Sequence, residues 1–204
     1  ANKKKNKDKY GDVITIINKY YSKTNLNARH NNYLTGLLRT CNFSVLPYRF
    51  GAALNALIKE EDSLKQVAIK QSILGMMNDT YKTLYIPLEK DILAAQLNLY
   101  ATKGSEAGLA KLVAKIGNEN SNDFKSYVNK AFENSIFGSK KSLEDFLNKP
   151  SKELLEKDPL YLLSMDLLTR YRSRTEEIAE LEEKYEKAYR NLVEGLRISN
   201  PKMK

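Results

Sequence analysis

Residue types able to do covalent chemistry are scarce in this chain: one histidine, His30, and one cysteine, Cys41. On a single helix their eleven-residue separation would place them roughly 16 Å apart, too far for a base to activate a thiol nucleophile. His30 is therefore read as a surface or hydrogen-bonded structural residue, and Cys41 as a small core residue. The sequence has no G-x-S-x-G elbow, Walker loop, G-x-G-x-x-G, H-E-x-x-H or zinc-type cysteine spacing, so no catalytic residue, metal ligand or cofactor is assigned. Two features could bind rather than react. Arg170, Arg172 and Arg174 alternate around Tyr171 and could meet an anion or carboxylate, which makes Arg170, Tyr171 and Arg174 the candidate substrate-contacting residues. Three arginines within five helical residues point in several directions, however, so solvation or ion pairing competes with that reading. Tyrosine is the other: of thirteen, Tyr20, Tyr21, Tyr81, Tyr85, Tyr185 and Tyr189 mostly fall on apolar faces, where a core or interface role outweighs ligand binding.

The element that must position these candidates runs from Asp158 to Asn200. Leu160, Leu163, Leu167, Tyr171, Ile178, Leu181, Tyr185, Ala188, Leu192 and Leu196 recur mostly at spacings of three and four, which predicts one long amphipathic helix. Asp158 suits the N-cap and Pro159 the first helical position, where a missing N–H costs nothing, and Asn200-Pro201 bars continuation. At 1.5 Å per residue such a spine would span roughly 60 Å, so other helices must pack along it or part of it must meet a partner.

Upstream, residues 1–9 read as a mobile Lys-rich start. Helical spacing begins near Tyr10 and is expected to end near Ser22, with a turn over Thr24–Asn27 and a second, antiparallel helix through Tyr33–Cys41. Pro47 predicts a kinked or restarted helix carrying Phe50, Leu54 and Leu57, and Glu60-Glu61 suits a helix start. Ser63–Tyr85 is the next expected helix. Another opens at Pro87, has Leu88, Ile92, Ala95, Leu99 and Tyr100 on its apolar face, and closes at Lys103-Gly104. Shorter helices are expected over Glu106–Ile116, after a Ser121 or Asn122 cap, over Leu143–Leu147 and over Lys152–Lys157. The turn-rich run Gly117–Asp123 is expected to be a subdomain joint dividing 10–117 from 118–200, with 201–204 as a tail. No fixed-period repeat emerges.

With 42% hydrophobic and 29% charged residues, nine Gly and five Pro, the 204-residue chain reads as all-α: a multi-helix bundle of antiparallel helices organised along one very long C-terminal helix. No apolar run reaches the roughly 20 residues a membrane helix needs. The net charge of +9 sits largely in Lys-rich tails, while the spine after Arg174 alternates Glu with Lys and Arg at i,i+4 spacing. That is a solvated face rather than a contiguous basic stripe, so no nucleic-acid partner is expected. A first residue Ala1 and the absence of a signal-like apolar segment favour a chain cut from something longer.

Four stretches carry a resemblance in the same order: YKTLYIPLEKDILAAQLNLYA (Tyr81–Ala101), FKSYVNKAFENSIFG (Phe124–Gly138), LEKDPLYLLSMDLL (Leu155–Leu168) and YEKAYRNLVEGLRISNP (Tyr185–Pro201). Together they are similar to the helical insertion of the bacterial dipeptidyl-peptidases of the seven and eleven type, chymotrypsin-like serine exopeptidases. The resemblance implies a catalytic double barrel, outside this chain, whose His, Asp and Ser triad removes dipeptides from free peptide N-termini, and a helical cap that limits access to the cleft. It places His30 at no catalytic position and carries over no substrate-binding residue. It also implies a periplasmic or cell-surface location and allows a homodimeric parent. An excised cap should leave an apolar strip bare on the spine. The alternative, from a different class, is a free-standing helical scaffold that binds a protein partner.

Overall fold

The computed structural model describes residues 10–104 and 108–200, without the side chains of residues 25–31, 174, 175 and 177. Among the described residues there is no strand. The α-helices among the described residues are, in order, α1 (Val13–Thr40), α2 (Leu46–Lys59), α3 (Ser63–Thr83), α4 (Ile86–Lys103), α5 (Lys111–Glu119), α6 (Phe124–Glu133), α7 (Lys140–Asn148), α8 (Lys152–Lys157) and α9 (Pro159–Ser199), with a 3-10 turn at Asn42–Ser44. The all-α class and the long C-terminal helix are as the sequence predicts, α9 alone having 41 residues. No helix among the described residues is long and apolar enough to cross a membrane.

Most helix starts follow simple capping chemistry. Pro47 and Pro87 open α2 and α4 from the first turn, so Pro47 restarts a helix and does not kink one. Ser139 and Ser151 cap α7 and α8 by accepting from the Ser142 and Leu154 amides. Two expected caps move by one or two residues. The acidic start at Glu60-Glu61 belongs to Asp62, whose carboxylate accepts from the Leu64 and Lys65 amides. The cap of α6 is Asp123, which accepts from the Ser126 amide, while Ser121 and Asn122 supply the left-handed turn before it with φ of 51° and 62°. Asparagine tolerates that region through local hydrogen bonding, so the two polar residues make the turn and leave capping to the next carboxylate.

The expected break at Thr24–Asn27 does not occur: α1 is one helix, and the antiparallel pair expected there does not form. Between Ser22 and Asn32 there is no glycine or proline, and the Thr24 hydroxyl donates to the Tyr20 carbonyl at 2.8 Å, a back-bond compatible with a continuing helix. The side chain of His30 lies outside the described residues, as do the 1–9 and 201–204 segments.

The residues group into two compact units. His30–Tyr171 form one, and the expected joint at Gly117–Asp123 falls inside it; residues before His30 and after Tyr171 form the other. In the larger unit α4 packs most extensively on α6, α2 on α3, and α3 on α7. Its core includes Leu37, Phe43, Leu54, Leu93, Phe137 and the opening of α9, where Leu160, Leu163 and Leu167 are fully buried at i, i+3 and i+7. Cys41 is 2% exposed, a core residue as read. In the smaller unit the start of α1 and the end of α9 run antiparallel: Tyr20 stacks on Tyr185, Val13 and Leu192 line one small cavity, and Tyr10 lies against Gly195.

Candidate functional site

The sequence candidates on α9 are placed as follows. Arg170 donates its Nε–H to the Gly108 carbonyl at 3.1 Å. The same carbonyl accepts the hydroxyl of fully buried Tyr100 at 2.9 Å, and that hydroxyl in turn accepts from the Ala110 amide at 2.9 Å. One turn before Arg170, Asp166 accepts from the Leu112 amide at 2.7 Å, satisfying a donor at the start of α5 that has no partner within the helix. Asp166 and Arg170, at i and i+4 on α9, therefore hold α5 and the loop leading to it. Tyr171 is exposed, and the side chain of Arg174 lies outside the described residues.

A second polar centre lies where α9 begins. Asp158 is 3% exposed and accepts three hydrogen bonds: Ser135 Oγ at 3.0 Å, the Ile136 amide at 2.7 Å and the Tyr161 amide at 2.9 Å. Ser135 Oγ also accepts from the Phe137 amide at 3.0 Å, and Tyr81 on α3 donates to the Phe137 carbonyl at 2.7 Å. Burial pushes the Asp158 carboxyl above the usual carboxylate range while the three donors pull it down. Burial and the Asp158 charge push the Tyr81 phenol up, and burial with Asp158 and Asp166 pushes Tyr127 up to about 12. This knot fixes the connector from α6 to α7 against the start of α9; its chemistry is structural.

Four of the six tyrosines singled out in the sequence, Tyr20, Tyr21, Tyr185 and Tyr189, cluster in the smaller unit, whereas Tyr81 and Tyr85 belong to the larger one and Tyr85 is exposed. Tyr20 and Tyr185 stack with ring centroids 4.2 Å apart, Tyr21 meets Tyr185 edge-on at 5.6 Å, and Tyr189 stacks on Tyr185 at 5.9 Å. The Tyr21 and Tyr185 hydroxyls are 3.1 Å apart, and that contact chiefly raises the Tyr185 phenol to about 12. Tyr189, Leu196 and Ile198 leave apolar surface exposed at the end of α9.

Sequence reasoning missed a cavity of about 630 Å³, within the usual range for small-molecule sites. It lies in the larger unit, between the end of α1, the start of α2, the end of α3 and the start of α4. The miss has an identifiable cause. On α4 the expected face was Leu88, Ile92, Ala95, Leu99 and Tyr100; Tyr100 is buried as expected, yet Leu88 and Leu99 are exposed while Glu89, Leu93 and Leu97 are buried. Apolar residues surround most of this helix, so periodicity does not select a face, and the true one carries a carboxylate. Glu89 is 8% exposed. Its Oε1 accepts from Asn42 Nδ2 at 2.9 Å, and its buried Oε2 has no hydrogen-bond partner. No Asp, Glu, His or Cys group among the described residues could hold a metal ion.

Comparison with known proteins supplies the family. The Peptidase S46 profile matches residues 1–202. Dipeptidyl-peptidase 7 of Capnocytophaga gingivalis is 31% identical over 199 residues, 98% of this chain and 27% of that protein. The Asp/Glu-specific dipeptidyl-peptidase of Porphyromonas gingivalis is 23% identical over 189 residues, 92% of this chain and 26% of that protein. The crystal structure of Porphyromonas endodontalis DPP11 superposes with a TM-score of 0.72 at 22% identity, over 94% of this chain and 27% of that one; its alternate conformation gives 0.66 at 21%. The structural likeness establishes a shared fold, and the chain spans about a quarter of the length of these relatives. With a profile match over almost every residue and a relative above 30% identity, this chain belongs to the Peptidase S46 family, as a helical domain of the dipeptidyl-peptidase 7 and 11 type.

Proposed function

We propose that this chain is the helical cap of a serine dipeptidyl-peptidase, gating access to a catalytic double barrel and favouring peptides that present a free N-terminus. The observation that carries this reading is the match of almost the whole chain to about 27% of a dipeptidyl-peptidase 7. The same helical fold occurs in Porphyromonas endodontalis DPP11, a relative also crystallised with a dipeptide. In this reading the His, Asp and Ser triad belongs to the barrel, and the cap contributes shape and steric exclusion rather than a reacting group. A rigid cap suits that role, and the Asp158 knot together with the Asp166 and Arg170 hydrogen bonds provides rigidity in the larger unit. Arg170, Tyr171 and Arg174 are the proposed cap residues for peptide contact. The remaining parts of the reading are a periplasmic or cell-surface location and a homodimeric parent.

The test compares the 204-residue chain with the complete reading frame that contains it, using dipeptide–chromophore conjugates. Release by the complete protein and none by the 204-residue chain supports the cap reading. Release by the 204-residue chain itself would contradict it.

A further inference from the structure

The cavity beside Glu89 brings charge of both signs to an apolar hollow. Arg39 at the end of α1 and Arg49 on α2 line it, as do Asp79 on α3 and Glu89 on α4. Two cations from one pair of helices and two carboxylates from the other leave the lining formally neutral but dipolar. Arg39, Arg49 and Asp79 are exposed and make no ion pair among the described residues. Leu38, Val45, Phe50, Met76 and Leu84 supply apolar lining between them.

Glu89 is the informative residue. A carboxylate oxygen with neither solvent nor a donor costs free energy that folding does not recover, and native proteins rarely keep such a group without use. Its geometry is held from two sides. The residue sits in the first turn of α4, where unbonded amides favour negative charge, and Asn42 fixes Oε1. Oε2 is left to meet a donor that the described residues do not provide.

We propose that this cavity is a binding site for a small zwitterion with an apolar side chain, a free amino acid or dipeptide, whose ammonium group meets Glu89 and whose carboxylate meets Arg39 and Arg49. An ammonium offers three donors and would satisfy Oε2, and an arginine fork matches a carboxylate. The apolar lining then takes an aliphatic side chain, so that polar groups set orientation and burial adds affinity. The site uses residues of the larger unit alone and does not depend on the cap reading, so either can fail while the other stands.

The experiment is calorimetric titration of the 204-residue chain with leucyl-leucine, N-acetyl-leucyl-leucine and leucyl-leucine amide. Saturable binding of the free dipeptide is expected, with each blocked form weaker by roughly tenfold or more, the loss of one charge-assisted contact. Glu89→Gln should weaken the free dipeptide by a similar factor and leave the N-acetyl form unchanged; Arg39→Gln with Arg49→Gln should do the converse, weakening the free dipeptide but not its amide. Circular dichroism confirms that each variant is folded. Equal binding of free and blocked forms, or no saturable binding of the free dipeptide by the folded wild-type chain up to about 10 mM, would overturn the proposal.

Discussion

Asp158 ties the connector from α6 to α7 to the start of α9 through three hydrogen bonds, and its removal can be worked through donor by donor. Asp158→Ala deletes an N-cap on α9, worth about 1 kcal/mol. It strands the half-buried Ile136 amide, which sits 2.7 Å from the carboxylate, for about 1–3 kcal/mol. It also frees the Ser135 hydroxyl, 4% exposed, for about 1 kcal/mol. Relief of the desolvated carboxylate works in the other direction, since burial is the largest influence on this group. The net expectation is a loss of about 2–4 kcal/mol, a large part of the ~5–15 kcal/mol available to a domain. Asp158→Asn keeps an acceptor for the Tyr161 and Ser135 donors, which share Oδ1, but turns an NH2 group toward the Ile136 amide, so about 1–3 kcal/mol is lost. Urea unfolding followed by far-UV circular dichroism measures both. A raised carboxyl pKa in the folded state adds stability below the unfolded value near 3.9 and loses it as pH rises through the folded value. The wild-type advantage over Asp158→Asn should therefore narrow as pH rises from about 4 through the raised folded value. Both variants unfolding within about 0.5 kcal/mol of wild type, or a gap that widens with pH, would refute the reasoning.

Three further outcomes follow from the packing. A Cβ at Gly138 would run into the backbone carbonyl of Phe132, so Gly138→Ala should cost about 1–3 kcal/mol or more in urea unfolding, because backbone yields less than a side chain; a neutral result would mean the connector from α6 to α7 is not held as described. Gly51→Ala meets the Tyr161 ring instead, and Tyr161→Ala in the same chain should recover part of the Gly51→Ala loss, a coupling that additive double-mutant energies would exclude. Cys41 is 2% exposed with its thiol pushed up to about 11, chiefly by burial. A disulfide reagent at about pH 8 should modify it only as fast as the protein unfolds, and rapid labelling of the native chain would contradict the packing of α1 against the 3-10 turn.

What the sequence disclosed, and what it hid, divides along physical lines. Proline and glycine positions and the long three-four repeat of α9 act locally, and they located α2, α4, α8 and α9 to within a few residues. Capping was legible in type but not in position, because Asp62 and Asp123 sit beside other residues of equal capping propensity and backbone conformation chooses among them. The Asn-rich run in α1 misled because asparagine lowers helix propensity by only a few tenths of a kcal/mol, less than cooperative propagation of an established helix supplies. Glu89 and its cavity were illegible: nothing in a helix that is apolar on nearly every side reveals that a carboxylate lies on the buried face, and Asn42 is distant in sequence. Arg170 was visible as a charge, but its bond to the Gly108 carbonyl depends on where α9 passes the loop before α5.

The most direct test of the cap reading removes the cap. In the complete protein, residues corresponding to this chain would be replaced by a short Gly/Ser linker, and cleavage would be compared on peptide–chromophore conjugates with free and N-acetylated termini. The account predicts that the intact enzyme releases dipeptides only from free N-termini, and that the capless form loses this selectivity and cuts blocked peptides at rates comparable to free ones. Retention of full free-terminus selectivity without these residues would contradict it.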